Sequence, residues 1–333
     1  MTKMLEKNKI LVASLYKFVE IDDLSPLQDD LYAICNENNI MGTILLANEG
    51  INGTISGNRN KLKATITIIT KDKRFSNIEI KYSITDKQPF NKMKVRLKKE
   101  IVTIGLPNIN PNKKVGTYVK PEDWNDIISN PDVIVIDTRN IYETKIGSFK
   151  NALDPKTSSF REFPNWVKKF KNSKENINKK IAMFCTGGIR CEKSTALLKK
   201  RGFDEVYHLK GGILNYLSKV PETDSLWTRE CFVFDNRVTV NHSLEQGSYD
   251  QCHACRRPIT EEDKVSKRYE KGVSCDFCFA EVSEERKSQF AERQKQVDLA
   301  KNRGEDHIGK GAFEANKKHK LSKRNRFNSV YDS

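Results

Sequence analysis

The sequence predicts an α/β protein in which a domain of alternating strands and helices, built on a parallel sheet, follows a smaller α+β unit. Three observations carry this. Between Tyr118 and Val220 short apolar runs alternate with helical patterns, as strands covered by crossover helices do. Before it, residues 9–86 read in the order βαββαβ. After it stand two Cys-x-x-Cys pairs, nineteen residues apart. At 333 residues the chain has room for two or three such units.

In the first unit, Ile10 to Phe18 is an apolar strand run, and Leu24 to Glu37 spaces Leu27, Leu31, Ala33 and Ile34 along one helix face, with Ser25-Pro26 near its start. Met41 to Ala47 is a second strand, and Asn48-Glu49-Gly50 turns it into Ile51 to Gly57, a hairpin. Asn58 to Lys71 is the second helix and Ile78 to Ile84 the closing strand. The order βαββαβ describes a ferredoxin-like sandwich, a fold that assigns no function by itself. Next, Lys92, Lys94, Arg96 and Lys98 alternate with apolar residues and share one side of a strand. That cationic face reads equally as a phosphate-backbone contact or as an edge guarded against aggregation. Leu106 to Lys114, with Pro107 and Pro111, is a linker.

In the alternating domain, Pro121 to Trp124 starts a helix, and Val133 to Ile136 is a buried strand ending in Asp137-Thr138-Arg139-Asn140. Ligands gather at such strand ends. Lys168 to Lys180 is a lysine-rich helix and loop. Ile181 to Phe184 is the next strand, followed by Cys185, the loop Thr186-Gly187-Gly188-Ile189-Arg190, and a helix that stops near Gly202. Val206 to Leu209 is a further strand, and Lys210-Gly211-Gly212-Ile213 opens the last helix.

The chemistry centres on Cys185. A thiol between a strand end and a helix start faces unpaired N–H groups that favour an anion. The amides of Gly187 and Gly188 and the charge of Arg190 add to this, and all three lower a thiol pKa, giving the nucleophilic thiolate. Cys191, six positions on, is a candidate for resolving an oxidised or persulfidated Cys185, as well as a plain packing residue. Asp137 and Arg139 read as an ion pair bracing the loop. Cysteine loops closed by arginine resemble two designs, the phosphatase loop and the rhodanese loop. The first places five residues between Cys and Arg; the four here make a smaller cradle, suited to a persulfide sulfur.

Cys252, Cys255, Cys275 and Cys278 have the spacing of a closed, structural zinc site of four thiolates, with His253 outside the ligand set. Leu226 to Val240 is apolar enough to pack on the preceding domain. Glu281 to Ala300 is a helix candidate, and residues 286–333, thirteen basic against six acidic, form a tail expected to be disordered. The whole chain carries 59 basic and 44 acidic residues, a net +15. That balance points to an anionic partner, nucleic acid first, and otherwise to a lysine-rich surface. No apolar run of eighteen residues exists, so no membrane span is expected. With no secretion signal and cysteines of metal and catalytic type, the expected compartment is the cytoplasm. No G-x-G-x-x-G fingerprint for flavin or nicotinamide is seen, and the five histidines are too scattered for an iron triad.

Residues 131–225 resemble a rhodanese domain through Asp137-x-Arg139, Glu143, Gly147, Ala152, the Cys185-to-Arg190 loop and His208-Leu209-Lys210-Gly211-Gly212. With Glu49-Gly50-Ile51-Asn52-Gly53-Thr54, Met93-Lys94-Val95-Arg96, the extension Cys191-Glu192-Lys193 and Cys231-Phe232-Val233-Phe234-Asp235, residues 9–260 resemble the bacterial tRNA uridine hydroxylases, rhodanese-domain proteins with an acylphosphatase-like N-terminal domain. The resemblance implies oxygen-dependent formation of 5-hydroxyuridine at the wobble position, dioxygen as co-substrate, Cys185 as persulfide-forming residue, and as partners the anticodon arm of tRNA and a sulfur donor protein. A plain sulfurtransferase and a non-catalytic RNA-binding module are the alternatives. The expected division is 1–90 for the ferredoxin-like domain, 91–130 for basic strand and linker, 131–225 for the rhodanese domain, 226–285 for the zinc-type region and 286–333 for the tail.

Overall fold

A computed structural model describes residues 9–172 and 179–304. The first five strands are β1 (Ile10–Phe18), β2 (Met41–Ala47), β3 (Gly50–Asn58), β4 (Glu79–Thr85) and β5 (Met93–Leu97), with helices α1 (Leu24–Glu37) and α2 (Arg59–Ile69). They form one sheet in the order β4-β1-β3-β2-β5. Its core of four is the ferredoxin-like arrangement. β5 extends it in parallel beside β2, so the first domain runs past residue 90. The expected split at 90 fails because β5 buries Val95 in the same core. Period-two alternation divides the sheet's faces. Leu11, Ala13 and Leu15 of β1 pack with Ile44, Ile51 and Ile55 under Leu27, Leu31, Leu62 and Ile66 of the helices. Each fully buried Ile contributes roughly 2 kcal/mol of transfer free energy. Ser14, Thr43, Leu45, Asn52 and Thr54 lie on the opposite face, which no helix of this domain covers among the described residues. The side chain of Asn58 caps α2 by accepting from the N–H groups of Asn60 and Lys61.

The second sheet is parallel, in the order β6-β10-β9-β7: β6 (Thr117–Val119), β10 (Val206–Leu209), β9 (Lys180–Phe184) and β7 (Val133–Asp137). Helices α3 (Pro121–Ser129), α4 (Ile141–Thr144), α5 (Phe163–Asn172), α6 (Ile189–Lys200) and α7 (Gly212–Lys219) surround it. One face is packed by Phe163, Val167, Leu197 and Phe203, the other by Trp124, Phe149, Tyr216 and Trp227. This domain starts ahead of residue 131, because the short edge strand β6 pairs with β10. It also ends later than 225. Strands β11 (Trp227–Arg229), paired with β8 (Gly147–Phe149), and β12 (Cys231–Phe232), paired with β13 (Thr239–Val240), bury Trp227, Cys231 and Val233 in the same core. The stretch Leu226 to Val240 thus packs as expected, and the compact unit extends to Gly247.

A separate unit begins at Ser248. Strands β14 (Asp250–Gln251) and β15 (Pro258–Ile259) make a hairpin carrying the first cysteine pair, and α8 (Glu284–Asn302) follows the second. Ser283 caps α8 through its side chain, with Glu284 and Glu285 in the first turn. The helix expected over Glu281 to Ala300 thus forms within the stretch assigned to the basic tail, started by the cap and the first-turn charges. Residues 305–333, and 173–178 of the lysine-rich stretch, lie outside the described residues. Among the described residues no helix is long and apolar enough to cross a membrane.

Candidate active site

β9 delivers Cys185 to the C-terminal edge of the parallel sheet, and β7 delivers Asp137 beside Phe184 in register. The loop between β9 and α6 is held from behind by α7. The N–H groups of Ile213 and Leu214 donate to the carbonyls of Cys185 (3.0 Å) and Thr186 (3.1 Å). Gly212 makes this approach possible: its φ is +67°, and a Cβ there would lie 2.5 Å from the Cys185 carbonyl oxygen and 2.6 Å from the Gly188 nitrogen. With its carbonyls tied back, the loop turns its N–H groups inward. The Gly188 N–H donates to Cys185 Sγ at 3.1 Å, Gly188 itself being left-handed with φ +98°.

Burial alone would raise the Cys185 thiol, which is 1% exposed. The Cys191 thiol, the Arg190 guanidinium and the N–H groups of Cys191 and Arg190 outweigh it and bring the pKa down to about 6. Cys191, fully buried with its sulfur 3.7 Å from Thr138 Oγ1, is pushed up by burial and by the neighbouring Cys185, so it stays a thiol and a donor. The loop residues therefore converge on the sulfur, with two refinements. Of the two glycines, Gly188 is the one whose N–H donates to the sulfur, while a Cβ at Gly187 would meet open space. Arg190 also has a second duty. Its two terminal nitrogens donate to the two oxygens of Glu143, at 2.7 Å each, and Glu143 is fully buried. Its charge is thus shared between a carboxylate and the sulfur.

Asp137 and Arg139 form the expected ion pair, at 2.6 and 2.9 Å, both buried. They do not brace the cysteine loop. Arg139 donates instead to the Gly147 carbonyl at 2.5 Å, and Ser148 Oγ donates to Asp137, so the pair ties β7 to β8. Glu143 is the residue that braces the loop, and it lies 47 positions from Arg190. The extension beyond Cys191 meets both the first domain and the edge strand β6. Glu192 accepts from Tyr16 Oη (3.1 Å) and Tyr118 Oη (2.7 Å). Lys193, 1% exposed, donates to Glu49 (2.8 Å) and Glu100 (2.6 Å). Lys193 is buried while the two carboxylates stay partly exposed, at 25% and 19%, and the two ion pairs fix the first domain against α6.

Between the two sheets opens a cleft of about 1170 Å³. Its floor includes Cys185, Gly187 and Arg190, its far wall the helix-free face of the first sheet, and its surround Lys98, Lys99, Arg161, Lys219 and Arg237. Lys98, the end of the basic series that begins at Lys92, thus faces the cleft. Phe234, 60% exposed, lines the cleft too, with the Arg190 guanidinium 5.7 Å from its ring centre. In the second unit the sulfurs of Cys252, Cys255, Cys275 and Cys278 all lie within 4.8 Å of one another, three of the pairs at 3.8–4.0 Å. Thiolates about 2.3 Å from a tetrahedral zinc stand roughly 3.8 Å apart, so the four sulfurs fit that ion. His253 is exposed and lies outside the cluster.

Two family models match the chain. Residues 10–101 match the UPF0176 acylphosphatase like domain, and residues 120–219 match the rhodanese-like domain. The chain thus joins an acylphosphatase-like domain to a rhodanese-like domain, followed by the four-cysteine cluster. Among solved structures, a rhodanese-related protein from Thermoplasma volcanium is similar at 22% identity, over 32% of this chain and 95% of that one, with a TM-score of 0.26. A rhodanese-like domain from Anabaena sp is similar at 18% identity, over 31% and 75%, with a TM-score of 0.27. An acylphosphatase from Coxiella burnetii is similar at 10% identity, over 27% and 96%, with a TM-score of 0.22.

Proposed function

We propose that the protein is a tRNA-modifying enzyme that hydroxylates the wobble uridine to 5-hydroxyuridine, with dioxygen as co-substrate and Cys185 as its reactive group. The observation that carries this reading is a cysteine whose sulfur accepts from the Gly188 N–H beside Arg190, on the floor of a cleft larger than the usual 300–1,000 Å³ of a small-molecule site. Basic side chains surround that cleft, which suits a nucleotide still joined to its phosphate backbone. An anticodon base is single-stranded and enters a pocket without breaking a duplex. The exposed ring of Phe234, beside Arg190, offers it a stacking surface. In this role the Cys185 thiolate attacks the outer sulfur of a donor persulfide, the S–S bond breaks and the donor thiolate leaves. One oxygen atom of dioxygen enters the base and the other leaves as water, with two electrons and two protons from a thiol-class reductant. Gly188 N–H and the Arg190–Glu143 pair hold the charge of Cys185, and Cys191 supplies a protonated thiol beside it. The net charge of +15 supports the same partner.

Nucleoside mass spectrometry of tRNA from cells with and without the protein tests this. The expected result is loss of 5-hydroxyuridine and its derivatives on deletion, restored by the wild type and not by Cys185→Ala. Unchanged modification in the deletion, or rescue by Cys185→Ala, overturns it. The four-residue loop, sized for a persulfide, favours sulfurtransfer as the second reading. Efficient formation of thiocyanate from thiosulfate and cyanide, with tRNA unmodified, would select it.

A further inference from the structure

The loop that holds Cys185 contains one charged side chain, Arg190, and that charge is shared with Glu143 through two 2.7 Å hydrogen bonds. Ionised sulfur in a buried site calls for a further positive charge. The first domain brings one. In the register of β1 with β4, Ser14 lies opposite Lys81 and Tyr16 opposite Glu79, on the helix-free face that walls the cleft. Lys81 and Cys185 line the same cleft from its two sides. The Lys81 ammonium sits 4.8 Å from the centre of the Tyr16 ring. The Tyr16 hydroxyl in turn abuts the cysteine loop. A Cβ on Gly188 would lie 2.9 Å from it, and it donates to Glu192 at the start of α6. Lys81 therefore rests on the ring whose far end touches the glycine that holds the sulfur. Among the described residues it has no carboxylate at ion-pair distance, and the nearby Glu79 is paired with Lys210 at 3.4 Å.

We propose that Lys81, contributed by the acylphosphatase-like domain, is the counter-cation of the Cys185 thiolate and draws anionic reagents to it, so that the active site is completed across two domains. This deepens the reading of the same site, and rests on Cys185 being the reactive group but not on which reaction it performs. The groups facing the two charges are Tyr16 from β1, Glu79 from β4, Arg190 and Cys191 around the sulfur, and Glu192 from α6. Burial holds Tyr16 protonated and raises Glu192, while burial lowers Lys81, opposed by Glu79 and by the sulfur. The only exchange required is electrostatic; no bond is made or broken by Lys81.

The test compares a neutral alkylator, iodoacetamide, with an anionic one of similar size, iodoacetate, on the full chain across pH. Modification of Cys185 is followed by peptide mass spectrometry. In Lys81→Met the titration midpoint of Cys185 rises by about one pH unit, and the iodoacetate-to-iodoacetamide rate ratio falls roughly three- to tenfold. Lys81→Arg restores the ratio, which a merely structural role would not predict. Circular dichroism and thermal melting check the fold, and Lys81→Gln stands in if the methionine variant does not fold. A folded Lys81 variant with midpoint and ratio unchanged overturns the proposal. Nucleoside analysis of tRNA decides the reaction separately, so the two ideas fail independently.

Discussion

Glu143→Gln is the sharpest single perturbation of the loop's support. Glu143 is fully buried and takes two charge-assisted hydrogen bonds from Arg190, whose side chain is 7% exposed. Gln keeps the shape but removes the charge, and sets an amide NH₂ against a guanidinium nitrogen. A buried cation losing its partner costs about 3–5 kcal/mol. Taking 3 kcal/mol, and about 2–4 °C per kcal/mol for a unit of this size, the melting temperature of the Met1–Gly247 unit falls by roughly 6–12 °C. Tryptophan fluorescence reads it, because Trp124 and Trp227 sit in the rhodanese core. The double variant Glu143→Gln/Arg190→Met is predicted to be less destabilised than the sum of its parts, because no charge is then stranded. A shift under about 2 °C, or strict additivity, would refute the claim that the pair acts as one buried unit.

Gly212→Ala places a Cβ 2.5 Å from the Cys185 carbonyl and must displace the loop; the expected loss of activity is about a hundredfold, as for an ångström-scale misplacement, with unchanged turnover contradicting it. Phe234→Ala should lower kcat/KM for tRNA roughly tenfold to a hundredfold, the value of one stacked base. Its iodoacetamide rate at Cys185 should stay normal; an unaltered kcat/KM would remove Phe234 from the base site. Metal analysis should find one zinc per chain, lost in Cys275→Ser together with amide protection across residues 249–282, since zinc binding of this kind is folding free energy, about 10 kcal/mol or more. A metal-free, well-protected unit would show the four thiols to be packing residues.

What could be read from the chain was contiguous in it. Cys185 to Arg190 is a strand end, a loop and a helix start within six residues, so local rules sufficed to place the thiol among amides. The zinc cysteines likewise announce themselves by spacing. What could not be read depends on long-range pairing. Lys193 finds Glu49 and Glu100 at separations of 144 and 93 residues, and nothing local marks which carboxylates meet it. Lys81 sits in an ordinary alternating strand, and only the β1–β4 register turns it into the cleft. Glu143 stood among the resembling residues without a role, because its partner follows a crossover. The domain limits slipped for the same reason: β6 is three residues long and is a strand only by its pairing with β10. The Asp137–Arg139 pair was recognised at two-residue spacing, but its target, Gly147, was not.

The most direct measurement of the central claim is the ultraviolet absorbance of the thiolate against pH, taken as the difference between wild type and Cys185→Ser. A midpoint near 6 is expected, well below that of a free thiol, so that the thiolate is the main form at pH 7. A midpoint at 8.5 or above would contradict it, for a cysteine that is protonated at neutral pH is not the nucleophile this loop is built to hold.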